Sequence, residues 1–172
     1  KFCNLKVCLQ CSMCIHFLLS ENNGDAMRKR LAPCSRHKPY CKPVKKTIIE
    51  TTKAPIVPLP FSQAVLAGNT LYLSGQIGVD PVTLQLVPGG LVPETEQIFQ
   101  NFIAVLEAAG GSLKDVVKVT AFLTDFAEYS AFNAVYMKYF PKDFPARSAA
   151  QVVAAPLGAQ LEVDAIAIIN KC

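Results

Sequence analysis

Arg147 is the only arginine between residues 47 and 172, and it stands in Phe144-Pro-Ala-Arg-Ser148 at the mouth of an otherwise apolar segment. A guanidinium grips a carboxylate through two parallel hydrogen bonds, so a lone arginine at a cleft is suited to anchoring a small organic acid; an internal ion pair is the competing use. Glu162 interrupts Leu161-Glu-Val-Asp-Ala-Ile-Ala-Ile-Ile169, whose other members are nearly all buried types. Strand alternation puts Glu162 and Asp164 on one face. A carboxylate beside apolar surface can activate a water molecule or carry a proton, with its acidity set by burial. Facing solvent or a lysine is the plainer role for either acid, and the preferred one for Asp164. Ser74 and Gly75 offer a hydroxyl and a backbone N–H to an oxyanion, although Ser-Gly also marks bulges and close packing. Asn133, among helix aromatics, has an amide to offer a ligand or the solvent.

These residues need a scaffold, and the periodicity from residue 47 onward supplies one. Thr47 to Glu50 opens it, and Ala54-Pro-Ile-Val-Pro-Leu-Pro60 must run extended. Thr70 to Val79 reads as a strand closed by Asp80-Pro81. Glu94 to Ala109 sets Ile98, Phe102, Val105, Leu106 and Ala109 on one helical stripe, with Pro93 before it and Gly110-Gly111 after it. Val116 to Leu123 is an apolar strand. Asp125 and Glu128 resemble a cap for a second helix carrying Tyr129, Phe132, Tyr136, Tyr139 and Phe140, which Pro141 stops. Arg147 to Ala154 and Leu161 to Ile169 complete the order strand, helix, strand, helix, strand, strand. Helices of this length cover one face of a sheet, which predicts an α+β sandwich.

The two leading residues are awkward to unite. If the 155–160 link closes a simple hairpin, residue 154 faces 161 and Arg147 faces 168, six positions from Glu162 and about 20 Å away. Either the strands are not so paired or a site using both residues draws on neighbouring chains.

Charge and cysteine divide the chain. Residues 1–46 hold ten Lys/Arg and two acids, leaving seven Lys/Arg against eleven acids in residues 47–172. The globular part is thus mildly acidic and lacks the clustered basic groups of a phosphate-binding surface; RNA affinity would have to come from the basic tail. Six of the seven cysteines precede residue 47. The core has no Asn-x-Ser/Thr acceptor and does not need disulfides, which points to the cytoplasm or an organelle rather than a secretory route. The apolar runs fall short of 18 residues, so no membrane span is expected.

Residues 1–46 read as a basic, cysteine-containing extension, disordered or used for targeting. The sequence opens on Lys1, consistent with a processed end or with an incomplete or extended reading of the gene. The acid-free basic stretch from Met27 resembles a mitochondrial transit segment, against which its prolines count. Val7 to Leu19 has the apolar character of a secretory signal but is broken by Gln10, Ser12 and His16. Cys8-x-x-Cys11-x-x-Cys14-x-His16 has the spacing of zinc ligands without a well-spaced second pair.

Taken together, Pro60-Phe-Ser-Gln-Ala-Val65, Leu71-Tyr-Leu-Ser-Gly-Gln-Ile-Gly78, Ala108-Ala-Gly110, Phe132-Asn-Ala-Val-Tyr136, Phe144-Pro-Ala-Arg-Ser148 and Leu161-Glu-Val-Asp-Ala-Ile-Ala167 resemble the RidA (YjgF) family over roughly Lys46 to Ile169. The resemblance implies a chorismate-mutase-like α+β fold, one mixed sheet covered by two helices, assembled as a homotrimer with clefts between subunits. It implies hydrolysis of 2-iminopropanoate and 2-iminobutanoate to 2-keto acids and ammonia, with neither cofactor nor metal. Arg147 would hold the substrate carboxylate and Glu162 would position or activate the attacking water. Ser74, Gly75, Asn133, Phe61 and the backbone at Ala149 would line the cleft. Many relatives carry Gly-Pro-Tyr where this chain has Leu59-Pro60-Phe61, so Phe61 keeps a ring and loses a hydroxyl, which bears on rate and substrate preference. Other roles known in the family, or open to the same cleft, are RNA cleavage with inhibition of translation, and non-enzymatic sensing of small acids or chaperone action.

Overall fold

The computed structural model describes residues 44–170; the cysteine cluster and the basic stretch singled out above lie outside them. Six strands form one mixed sheet: β1 (Lys46–Ile49), β2 (Ala64–Ala67), β3 (Thr70–Gln76), β4 (Val116–Leu123), β5 (Ala146–Gln151) and β6 (Leu161–Ile168), in the spatial order β1-β2-β3-β6-β4-β5. Only β4 and β5 are parallel. Two helices, α1 (Leu91–Ala108) and α2 (Tyr129–Tyr139), complete the α+β sandwich.

Alternation decides which face the helices cover. Along β6, Leu161, Val163, Ala165 and Ala167 are buried, while Glu162, Asp164, Ile166 and Ile168 are only half-buried on the other side. The buried set meets α1, whose Ile98, Phe99, Phe102, Val105 and Leu106 are fully enclosed. Phe99 is the hub: its ring packs edge-on against Phe102, Tyr136 and Phe140 and stacks on Tyr139 at 4.7 Å. Removing such a ring leaves a cavity worth about 3–5 kcal/mol, so Phe99 ties α2 to α1 more firmly than any polar contact between them.

The elements follow the expectations with instructive shifts. α1 begins at Leu91, ahead of Pro93, because proline is tolerated in the first turn, where its missing N–H has no partner to lose. Asp125 does cap, through a hydrogen bond from the Ala127 N–H at 2.8 Å, but it caps a 3-10 turn (Phe126–Glu128) that leads into α2. Strand β2 had no counterpart in the sequence reading. Its Gln63 neighbour is buried and donates from one amide nitrogen to the carbonyls of Thr51, Ala54 and Pro55 while accepting from the Thr51 N–H, which fastens the Pro-rich link to the sheet.

The last two strands do not form a hairpin. β4 lies between them, pairing in parallel with β5 (Val119↔Arg147) and antiparallel with β6 (Phe122↔Glu162). A strand, helix, strand succession such as β4-α2-β5 returns the chain in the same direction, whereas β6 reverses and inserts between β3 and β4.

Candidate functional site

Arg147 leaves β5 on the helix-covered face and ends beneath α2. Its guanidinium carbon lies 4.5 Å from the Tyr136 ring centroid, 5.3 Å from that of Phe132 and 5.5 Å from that of Tyr129. One guanidinium nitrogen donates to the Tyr129 hydroxyl at 2.8 Å. Among the described residues no carboxylate pairs with it; the ion pair found there, Lys138 with Glu96, is an exposed contact between the helices. The guanidinium therefore keeps its charge and most of its donors, and it borders a cavity of about 470 Å³ with Asn133, Tyr136, Met137, Phe144 and Pro145. Asn133, singled out from sequence, is thus brought beside Arg147. Ala149 is two residues along the same strand, so it shares the face of Arg147.

A second group forms where the two central strands of the sheet, β3 and β6, meet. The β3–β6 register shifts between Leu73 and Gln76, and the residues in the gap are Ser74 and Gly75. At this bulge the Glu162 side chain lies directly over Gly75: a β-carbon there would coincide with Glu162 Oε1 and lie 2.8 Å from its carboxyl carbon. Gly75 is thus glycine because a carboxylate occupies the space of its side chain. The Ser74 hydroxyl donates to the Ser62 carbonyl at 2.6 Å and the Ser74 N–H to Gln63 at 3.0 Å, which joins the bulge to the loop holding Phe61. Phe61 is 51% exposed. Its ring is open to a ligand or to another chain.

The two groups do not meet within one chain. Arg147 is paired with Val119 and Glu162 with Phe122, three positions apart on β4, so they project from opposite faces of the sheet. The backbones at those positions are about 14 Å apart, given the spacing of strands and residues.

Three further residues escaped the sequence reading. Tyr129 and Tyr136 read as ordinary helix aromatics; only the docking of β5 beneath α2 makes them the seat of the guanidinium. The Tyr136 hydroxyl is buried without a hydrogen-bond partner among the described residues, and burial raises its pKa despite the nearby Arg147 charge. Glu94, 3% exposed, accepts the Gln160 N–H at 2.8 Å, and burial raises its pKa. Gln160 precedes Glu162 by two residues, so Glu94 fixes the start of the strand that carries it. From sequence, Glu94 marks only the start of a helix after Pro93.

Among the described residues no three His, Cys, Asp or Glu side chains gather closely enough to hold a metal ion. Nor is any helix there long and apolar enough to cross a membrane.

The family profile described as Endoribonuclease L-PSP matches residues 51–169. A goat protein (Capra hircus) named 2-iminobutanoate/2-iminopropanoate deaminase is 50% identical over 123 residues, 72% of this chain and 90% of that protein. The human protein of the same name is 46% identical over the same share of each. Among solved structures, RidA from the Antarctic bacterium Psychrobacter superposes with a TM-score of 0.69 at 45% identity, covering 72% of this chain and 99% of that one. TdcF from E. coli with bound serine gives 0.69 at 35% identity, over 72% and 99%.

Proposed function

This chain belongs to the Endoribonuclease L-PSP family, and from that premise we infer that it is a hydrolase of C=N bonds, converting 2-iminobutanoate and 2-iminopropanoate to the 2-keto acids and ammonia. The observation that carries this reading in the chain itself is a guanidinium without a counter-carboxylate, held at the wall of a cavity. A 2-imino acid brings the missing carboxylate. The serine in the TdcF relative is likewise a small 2-amino acid with that group.

A protonated imine is already electrophilic, so the protein has mainly to orient it and to manage protons. Arg147 grips the carboxylate. Glu162 takes a proton from the attacking water as oxygen bonds to the imine carbon, and returns it to nitrogen as the C–N bond of the resulting aminoalcohol breaks. The hydroxyl proton passes to Glu162 as the carbonyl forms and from there to the departing ammonia, so that the protonated imine and water give the keto acid and ammonium. Ser74, Gly75 and Asn133 supply polar contacts, Ala149 its backbone, and Phe61 an apolar wall.

Because Arg147 and Glu162 leave opposite faces of one sheet, the complete site is assembled between chains, in a homotrimer. Support for self-association comes from the face without helices, where Tyr72, Phe122, Ile166 and Ile168 are left partly open. The family description names an endoribonuclease, yet residues 47–172 carry seven basic against eleven acidic side chains, a poor surface for phosphate. Such a metabolic role suits the cytoplasm or the mitochondrion.

The test is a coupled assay with freshly generated 2-iminobutanoate. Arg147→Ala is expected to lower kcat/KM by about a thousandfold, since it removes a charge-assisted anchor. Glu162→Gln should lower kcat by about a hundredfold or more, the usual scale of a lost proton carrier. Full activity in Arg147→Ala refutes the assignment.

A further inference from the structure

The guanidinium's surroundings contain more than an anchor needs. Among the described residues Arg147 is held by aromatic groups alone: the rings of Tyr136, Phe132 and Tyr129, and the phenol oxygen of Tyr129. A carboxylate partner would have fixed the side chain equally well, at the cost of competing with an anionic substrate. A phenol hydroxyl fixes it without neutralising it. Of the five N–H donors of a guanidinium, one goes to Tyr129 and four remain.

Tyr129 is itself held in place from both sides. Asp125 caps the short turn Phe126–Glu128. Phe126 stacks on the Tyr129 ring at 5.2 Å with an 18° tilt, and the Phe132 ring lies 6.4 Å away. These rings restrain Tyr129, so its hydroxyl fixes one edge of the guanidinium plane.

We propose that Tyr129 is a positioning residue for the deaminase reaction: its hydroxyl sets the azimuth of the Arg147 guanidinium so that a free two-nitrogen edge faces the substrate carboxylate. This inference rests on the assignment of Arg147 as the carboxylate anchor. Tyr129 acts on binding and has no part in proton transfer. The rings of Phe132 and Tyr136, inclined 50° to each other, touch the guanidinium without directional bonds, and the phenol supplies the direction.

Tyr129→Phe keeps the ring and its stack on Phe126 and removes only the oxygen. The expected result is a KM for 2-iminobutanoate raised about fivefold to tenfold, the net scale of one ordinary hydrogen bond, with kcat within about twofold and the melting temperature unchanged. Tyr139→Phe is the control on the same helix: its hydroxyl meets Gln100 and Glu96, away from Arg147, and KM should not move. Nitrogen-15 NMR of the Arg147 side chain gives the readout that a merely structural role would not shift, with slow guanidinium rotation in the parent protein and faster rotation in Tyr129→Phe. An unchanged KM together with unchanged rotation overturns the proposal, as does a fall in kcat alone. Arg147→Ala, assayed alongside, separates the two levels: if it is inactive while Tyr129→Phe behaves like the parent, only the positioning role fails, and if it is fully active both fail together.

Discussion

The Arg147 and Glu162 regions are built by opposite means. Arg147 is seated by side chains, three aromatic rings of α2 of which one, Tyr129, also gives its phenol oxygen. Glu162 is seated by the absence of one, in a backbone bulge whose glycine leaves room for the carboxylate. A cation without a counter-charge has to be caged if it is to keep its direction. A carboxylate that must accept and release protons is better left with freedom and a solvated rim. In the proposed reaction, precision of aim and ease of proton exchange are different demands, assigned to different faces of the sheet.

The sharpest way to break this contrast is to give each half its own defect. Arg147→Ala and Glu162→Gln should each be nearly inactive alone. Co-expressed in equal amounts they should recover about a quarter of parental activity, because a site shared between neighbouring chains draws both intact residues in one pairing of four. Recovery confined to background would mean that both residues serve from the same chain.

Gly75→Ala should produce the next largest effect. The new methyl meets the flexible end of Glu162 rather than backbone, so the carboxylate moves and the fold persists. We expect kcat to fall about tenfold to a hundredfold, on the scale of a misplaced proton carrier, with little loss of melting temperature. Gly78→Ala is the opposing case, since its β-carbon would lie 2.5 Å from the Glu94 Cα and push on helix backbone. Loss of stability without such a split between the two variants would contradict the picture of a carboxylate filling an empty glycine site.

The smallest effect concerns Glu94, which reaches the Glu162 half only through the Gln160 N–H. Burial raises the Glu94 pKa above its ordinary value of 4.5, so the folded chain keeps a proton that the unfolded chain has released. Its contribution to stability is therefore fullest below that ordinary value and declines as pH rises through the raised one. Glu94→Gln should flatten this decline in denaturant titrations run from acid to neutral pH while retaining an oxygen for Gln160. A variant with the parental pH slope would show that the carboxyl titrates alike in both states.

Much of this was legible in the residues, and what was not has a physical cause. Helix α1 and strand β4 were readable because a stripe or a run of apolar side chains states its own period. The candidates for chemistry stood out in the same way: a lone arginine and a carboxylate inside an apolar strand are conspicuous by composition. Strand β2 was hidden because Ala64–Ala67 is four residues long and follows a proline-rich link, so its identity comes from pairing with β1 and β3. The insertion of β6 between β3 and β4 was equally invisible, since pairing order depends on long-range packing. Gly75 beneath Glu162 follows from that order, and Tyr129 beside Arg147 from the docking of β5 beneath α2. Each is a contact between segments far apart in sequence, which local periodicity does not encode.

The lack of a counter-ion at Arg147 has a chemical cost. An arginine tied to a carboxylate is slow to react with vicinal dicarbonyls, because its nitrogens are engaged; one held only by a phenol and ring faces presents two of them to attack. Arg147 is the one arginine in residues 44–170, so such reagents find a single target there and an occupied cleft shields it. Among the described residues, the arrangement proposed to keep the cation ready for an organic acid also leaves this arginine open to dicarbonyl reagents.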